Sequence, residues 1–189
     1  MKVLGVAGSP RKGGNTEIAV QTALDVIAGQ GIETELLSLA GRPILPCTAC
    51  GGCSKQPKCV LEDPNFDGVV EKFLQADGII IGSPVYFGSA TPEIMALLDR
   101  VGVVARRNGN LLARKVGAAV VVARRAGQNF TFAQLNYFFL ISSMIVPGST
   151  YWNIGFGMQK GEIEQDTEAV ETIRNLADNM AWLIKKLAD

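Results

Sequence analysis

An α/β architecture, with a parallel sheet covered by helices on both faces, is what the sequence predicts, and three observations carry it. Short apolar runs alternate with stretches of helical periodicity along the whole chain. The first of them, KVLGVAG, is a short β-branched apolar run, the sign of a strand buried on both faces. The segments between them are long enough for the crossover helices that parallel strands require. Five such strands fit in 189 residues, a length suited to one full domain with a sizeable core. The expectation is one doubly wound domain over residues 1–189, with five strands.

The elements follow in order. KVLGVAG (2–8) reads as the first strand, and a glycine-rich turn follows it. TEIAVQTALDVIAGQG (16–31) then sets Ile18, Ala19, Thr22, Ala23 and Val26 at helical spacing, with glycines at the end. IETELLSL (32–39) is the second strand and leads into a cysteine-rich loop at 46–59. Asn65 or Asp67 is placed to cap a short helix ending at Ala76. GIIIGSPVY (78–86) is the third strand, and Pro92 suits the first position of the helix in PEIMALLDRVG. KVGAAVVVA (115–123) is the fourth strand, a helix is expected near 129–143, and the last strand is expected within IVPGSTYWNI (145–154). From Asp166 the final helix places Val170, Ile173, Ala177, Met180, Ile184 and Leu187 mainly on one face.

Composition narrows the function classes. Eighteen basic residues balance eighteen acidic ones, so there is no basic field of the kind nucleic acid needs. The opening apolar run stops after Ala7, too short for a signal peptide, and Arg11 and Lys12 follow. The other apolar region, FFLISSMIVPGSTYW, is broken by Ser142, Ser143, Pro147 and Gly148, too soon to span a bilayer. A cytoplasmic protein that binds neither nucleic acid nor membrane is expected. The chain has no histidine, which rules out a Ser-His-Asp triad and leaves redox chemistry compatible.

GSPRKGGNT (8–16) lies between the first strand and the first helix. In doubly wound folds ligands bind at this end of the sheet, where the strand order reverses. Glycines let the backbone approach an anion, and the helix start supplies free amides and a favourable dipole. Ser9, Asn15 and Thr16 add neutral donors, and Arg11 adds a charged, forked one. The pattern is neither a dinucleotide fingerprint nor a Walker loop. It suits a terminal phosphate monoester held without a metal, and it is also compatible with a plain polar turn.

Together with GSPVYFGSATPEIMALLDR (82–100), this loop resembles the flavodoxin-like FMN-dependent reductases over nearly the whole chain. The resemblance implies strand order 2-1-3-4-5, FMN as cofactor, and its phosphate on Ser9, Arg11, Asn15 and Thr16. It also implies that Pro84, Val85, Tyr86, Phe87 and Gly88 line the ring and ribityl chain. Those residue types suit a flavin, since they supply a fixed turn, two aromatic walls, and a glycine that lets an amide come close. A third loop, ARRAGQNFT (123–131), offers Arg124 and Gly127 to the pyrimidine edge, where a cation or amide stabilises anionic reduced flavin. A solvated arginine pair is the other reading of that loop. Asp99 and Arg100 match a recurring element of the family and read equally as an ion pair at a helix end.

All four cysteines fall in PCTACGGCSKQPKC, spaced Cys47-x2-Cys50-x2-Cys53-x5-Cys59. Successive gaps of two residues wrap a short loop around a compact cluster, whereas zinc sites favour two pairs separated by a longer excursion. The motif resembles that of the iron–sulfur flavoproteins, a branch of the same family, which implies a [4Fe–4S] cluster on these four residues. Free thiols, zinc, or a redox disulfide such as Cys47–Cys50 also fit the spacing. The resemblance implies an oxidoreductase that takes electrons from NAD(P)H or ferredoxin and passes them to a small molecule or protein. A cluster-free flavin or quinone reductase and a flavodoxin-like carrier are the alternatives. Residues 135–156 are more apolar than one buried helix and strand require, consistent with the homodimers or homotetramers of related proteins.

Overall fold

In the computed structural model, which describes residues 1–188, the alternating pattern forms a single sheet. Its strands are β1 (Lys2–Ala7), β2 (Glu33–Ser38), β3 (Gly78–Pro84), β4 (Val116–Ala123) and β5 (Ile154–Phe156). All pair in parallel, in the order β2-β1-β3-β4-β5, which is the flavodoxin-like order expected. The helices are α1 (Asn15–Gly29), α2 (Val69–Gln75), α3 (Pro92–Arg107), α4 (Gln128–Ile141) and α5 (Thr167–Ala188).

The unbroken apolar runs of β3 and β4 divide cleanly between two cores. Ile80, Val120 and Val122 pack with α1 and α5, while Ile79, Ile81, Ala119 and Val121 pack on the other face with residues of α2, α3 and α4. Successive strand side chains point to opposite faces, so both alternating sets must be apolar. At Gly82 an added Cβ would lie 2.4 Å from Val20 and 3.1 Å from Thr16. Hydrogen at that position therefore lets the first two turns of α1 sit directly on β3.

Three local expectations need correction. No side chain caps α2, whose N-cap is Gly68 at φ +71°. Asn65 and Asp67 do not cap it. Asn65 instead takes part in a tight turn, its amide donating to Asp63 Oδ1 at 3.1 Å. The last strand lies later than 145–154 and shares only Ile154 with that range. Pro147 cannot donate to a ladder, and Ile145 makes only an isolated bridge to Val116. Asn153 then closes the gap, accepting from the Val121 amide at 2.9 Å and donating to the Ala119 carbonyl at 3.1 Å. Finally, Leu187 is exposed; the buried face of α5 runs through Ala169, Ile173, Leu176, Ala177, Met180 and Ile184. Among the described residues, no helix is long and apolar enough to cross a membrane.

Candidate functional site

Strand order reverses between β1 and β3, so a crevice opens beyond their carboxyl ends. Three loops meet there. The first, residues 8–14, continues the ladder through Gly8, whose amide donates to the Gly82 carbonyl at 2.8 Å. Thr91 ties it to the second loop. Its hydroxyl donates to the Gly8 carbonyl at 2.7 Å and accepts from the Ile94 amide at 3.4 Å, capping α3. Pro92 occupies the first turn of α3 as expected.

Along the first loop and the start of α1, Ser9 and Thr16 are buried, Asn15 is half-buried and Arg11 is exposed. Ser9 Oγ accepts from the Arg11 amide at 3.2 Å. The leading amides of α1 have no intrahelical acceptor, and the helix dipole adds positive potential there. Both ends of the Asn15 side chain are engaged within the chain. Nδ2 donates to the Gln159 carbonyl at 2.8 Å, and Oδ1 accepts from the Gly161 amide at 2.8 Å. Arg11 Nη1 donates to the Met158 carbonyl at 3.2 Å. The segment after β5 is thus laced to this loop, an arrangement that no local motif in the sequence announces.

The second loop is a two-residue hairpin. Tyr86 and Ser89 exchange amide–carbonyl hydrogen bonds at 2.8 and 3.0 Å around Phe87 and Gly88. Both central residues have positive φ, +51° and +79°, as a type I′ turn demands. Phe87 is fully exposed at its tip, and Tyr86 is exposed beside it. A bulky residue in the left-handed region is unfavourable, and asparagine tolerates that region better. Phe87→Asn is therefore expected to stabilise the cofactor-free protein by about 1 kcal/mol, measured by denaturant unfolding. An unchanged or lower midpoint would refute the strain. The third loop reaches this hairpin through Gly127 (φ +88°), where an added Cβ would lie 3.0 Å from Val85 and 3.2 Å from Gly88. Pro84 and Val85 are half-buried, and Arg124 is exposed.

The four cysteines line one pocket together with Val103, Val104, Arg100 and Arg107 of α3. Cys47 and Cys50 are exposed, Cys59 is half-buried, and Cys53 is buried in a 3-10 turn. Among the described residues no three Cys, Asp or Glu side chains stand close enough to hold a metal ion, so the sulfurs are not drawn around one point here. In kind, however, the surroundings fit a sulfur-ligated cluster. The Arg107 charge favours a thiolate, Arg100 Nη2 donates to Cys59 Sγ at 3.4 Å, and Ala49 (φ +54°) and Gly51 (φ +77°) fold the chain tightly. The Gly52 amide, the Thr48 hydroxyl, Cys50's own amide and the charge of Arg107 together outweigh partial desolvation and pull the Cys50 thiol below its ordinary range. The thiolate is the metal-binding form. A cavity of about 610 Å³, lined in part by Lys58, Cys59, Glu62 and Glu71, opens beside this loop rather than over the crevice.

Residues 1–159 match the NADPH-dependent FMN reductase family. The chain belongs to that family. It is 43% identical to an iron–sulfur flavoprotein of Methanocaldococcus jannaschii, over 98% of each chain. It is 38% identical to one of Methanosarcina thermophila, covering all of this chain and 94% of that one. These matches place it in the iron–sulfur flavoprotein branch, and its activity class is that of an FMN-dependent oxidoreductase. Among solved structures, a flavone reductase superposes with a TM-score of 0.77 at 22% identity, over the whole chain and 64% of its own. An archaeal flavodoxin superposes at 0.65 and 14% identity, over 98% and 99%. Both show the shared fold.

This member of the FMN reductase family also uses residues that sequence reasoning passed over. Gln134 Oε1 accepts from Ser89 Oγ at 3.0 Å and the Ala90 amide at 2.8 Å, fixing the exit of the hairpin. Thr91 was legible as a threonine before a helix-opening proline. Asn108 Nδ2 donates to the Cys53 carbonyl at 2.9 Å, and Arg107 to Ser54 Oγ at 3.0 Å. Arg100 does not pair with Asp99, which is exposed; it is buried against Asp63. No local pattern signals a pair whose members lie 37 residues apart.

Proposed function

We propose that this protein is an FMN- and iron–sulfur-containing oxidoreductase that passes electrons between NAD(P)H or a ferredoxin and a small-molecule or protein acceptor. The observation that carries the reading is the meeting of the three loops at the switch point of the sheet, with all four cysteines gathered on a separate pocket of the same chain. FMN supplies two-electron chemistry that can be released singly, and a [4Fe–4S] cluster carries one electron at a time.

In this reading Ser9, Arg11, Thr16 and the leading amides of α1, including that of Asn15, hold the FMN phosphate. The Asn15 side chain anchors the segment after β5. Pro84, Val85, Tyr86, Phe87 and Gly88 wall the ring, while Gly127 and Arg124 stand at its pyrimidine edge. Cys47, Cys50, Cys53 and Cys59 ligate the cluster. An acceptor reaches the cluster edge through the cavity beside Cys59. The exposed apolar side chains of Tyr137, Leu140, Ile141, Tyr151 and Trp152 support assembly into a dimer or tetramer. Neutral overall charge disfavours the plain carrier, since carriers dock through strong charge.

Anaerobic purification, a visible spectrum, and iron, sulfide and FMN counted per chain test the proposal. A flavin spectrum on a broad brown absorption, with about four irons per chain, is the expected result. FMN without iron, even after reconstitution, would leave a simple reductase. For the phosphate site, Thr16→Val is expected to weaken FMN binding about tenfold or more, the range for losing one hydrogen bond to a charged group. Titration of flavin fluorescence reads this directly, and an unchanged Kd would remove Thr16 from the site.

A further inference from the structure

Arg100 is buried to within 1% of its surface, yet an ion pair with Asp63 accounts for only part of its side chain. The guanidinium carries five N–H donors. Nη1 donates to Asp63 Oδ2 at 2.5 Å and to the Leu45 carbonyl at 3.3 Å. Nη2 donates to the Leu61 carbonyl at 3.1 Å and to Cys59 Sγ at 3.4 Å. The Phe66 ring stacks on its face, 3.7 Å from Cζ to the ring centroid. Nε is buried and has no acceptor anywhere in the described chain. A buried donor without an acceptor is rare and unfavourable, so this orphan points to a missing partner. Arg100 lines the pocket that all four cysteines line.

We infer that Arg100 donates charge-assisted N–H···S hydrogen bonds into the cluster site, from Nη2 to the Cys59 sulfur and from Nε to a second sulfur of the bound cluster. The inference rests on the cluster reading above. Donors to sulfur stabilise the more electron-rich, reduced cluster and raise its reduction potential. The stacked Phe66 ring and the Asp63 carboxylate hold the fork in place, so Arg100 acts as a tuning residue rather than as a ligand. Lysine at this position keeps the positive charge but lacks the planar fork.

The test uses anaerobically purified holoprotein carrying heavy nitrogen in arginine only. Wild type, Arg100→Lys and Arg107→Lys are counted for iron, reduced, and measured by pulsed EPR and by redox titration of the cluster signal. A hyperfine coupling between arginine nitrogen and the reduced cluster is expected in wild type and Arg107→Lys, and is expected to vanish in Arg100→Lys. At the wild-type midpoint potential the reduced-to-oxidised ratio of Arg100→Lys should fall about tenfold, equivalent to about 59 mV for one electron. Iron-loaded wild type without the coupling overturns the inference alone. A coupling that survives in Arg100→Lys, or is lost in Arg107→Lys, assigns it to another arginine and overturns it as well. A wild-type protein without iron overturns the cluster reading and this inference with it. Where Arg100→Lys does not fold, the wild-type and Arg107→Lys couplings decide, because only Arg100 and Arg107 among the arginines line the pocket.

Discussion

Serine in place of any one of Cys47, Cys50, Cys53 or Cys59 is expected to remove most of the iron, from about four atoms per chain to fewer than about one, while FMN stays bound. A cluster held by four thiolates loses a ligand that a hydroxyl replaces poorly, and the loop around it gains nothing in exchange. The loops after β1, β3 and β4, which are proposed to hold the flavin, contribute no cysteine, so flavin binding should survive the change. Iron and flavin assays on the four single variants, purified without oxygen, read the two outcomes separately. Full iron content in any one of them would remove that cysteine from the ligand set. Loss of FMN alongside iron would show the two sites to be coupled through the fold.

Asp63→Ala is expected to be the most damaging single change to stability away from the cysteines. Asp63 is 3% exposed and Arg100 1%. Removing the carboxylate leaves a guanidinium buried without its counter-charge, at a loss of about 3–5 kcal/mol. It also strips the acceptor from the amides of Leu45 and Asn65, at 3.0 and 3.1 Å, which shape the segments on either side of the cysteine loop. For a chain of this size the melting temperature should drop by roughly 6–20 °C. Burial pushes the Asp63 carboxyl up, but the Leu45 amide, the Arg100 guanidinium and the Asn65 amide together prevail and hold it below the ordinary carboxylate range. A carboxyl depressed in the folded state stabilises it at all pH above the unfolded value of about 3.9. That contribution disappears as pH falls through the folded value. Asp63→Asn should therefore flatten the acid limb of the stability profile below about pH 4 and leave a uniformly lower plateau above it. Urea titrations at several pH values measure both features. An acid limb identical to wild type would show that another carboxylate governs it.

The parallel sheet was legible because both faces of β3 and β4 are buried, so near-continuous apolar runs had no other reading than strands between helices. The three loops that meet at the switch point were legible because their signals are local backbone ones: glycines, a helix start, and a hairpin tip. The four cysteines announced themselves by spacing alone. Boundaries were misplaced where backbone conformation, not side-chain chemistry, set the end of an element. Gly68 rather than Asn65 or Asp67 opens α2. β5 waits for Ile154, after Pro147 and the buried Asn153 have redirected the chain.

Residue order alone was enough to specify the sheet, its helical cover, the glycine-rich turn at the start of α1 and the clustering of sulfur in one segment. These depend on periodicities and motifs contained within about thirty residues, the scale of one strand–helix–strand unit. Which distant groups meet was settled by folding in three dimensions. The fold set Arg100 of α3 against Asp63, Cys59 and Phe66, and laced Asn15 and Arg11 to the segment after β5. Buried charges and engaged amides are chosen by what the fold brings within hydrogen-bond reach. Those partners come from elements far apart in the chain, and no local pattern encodes them.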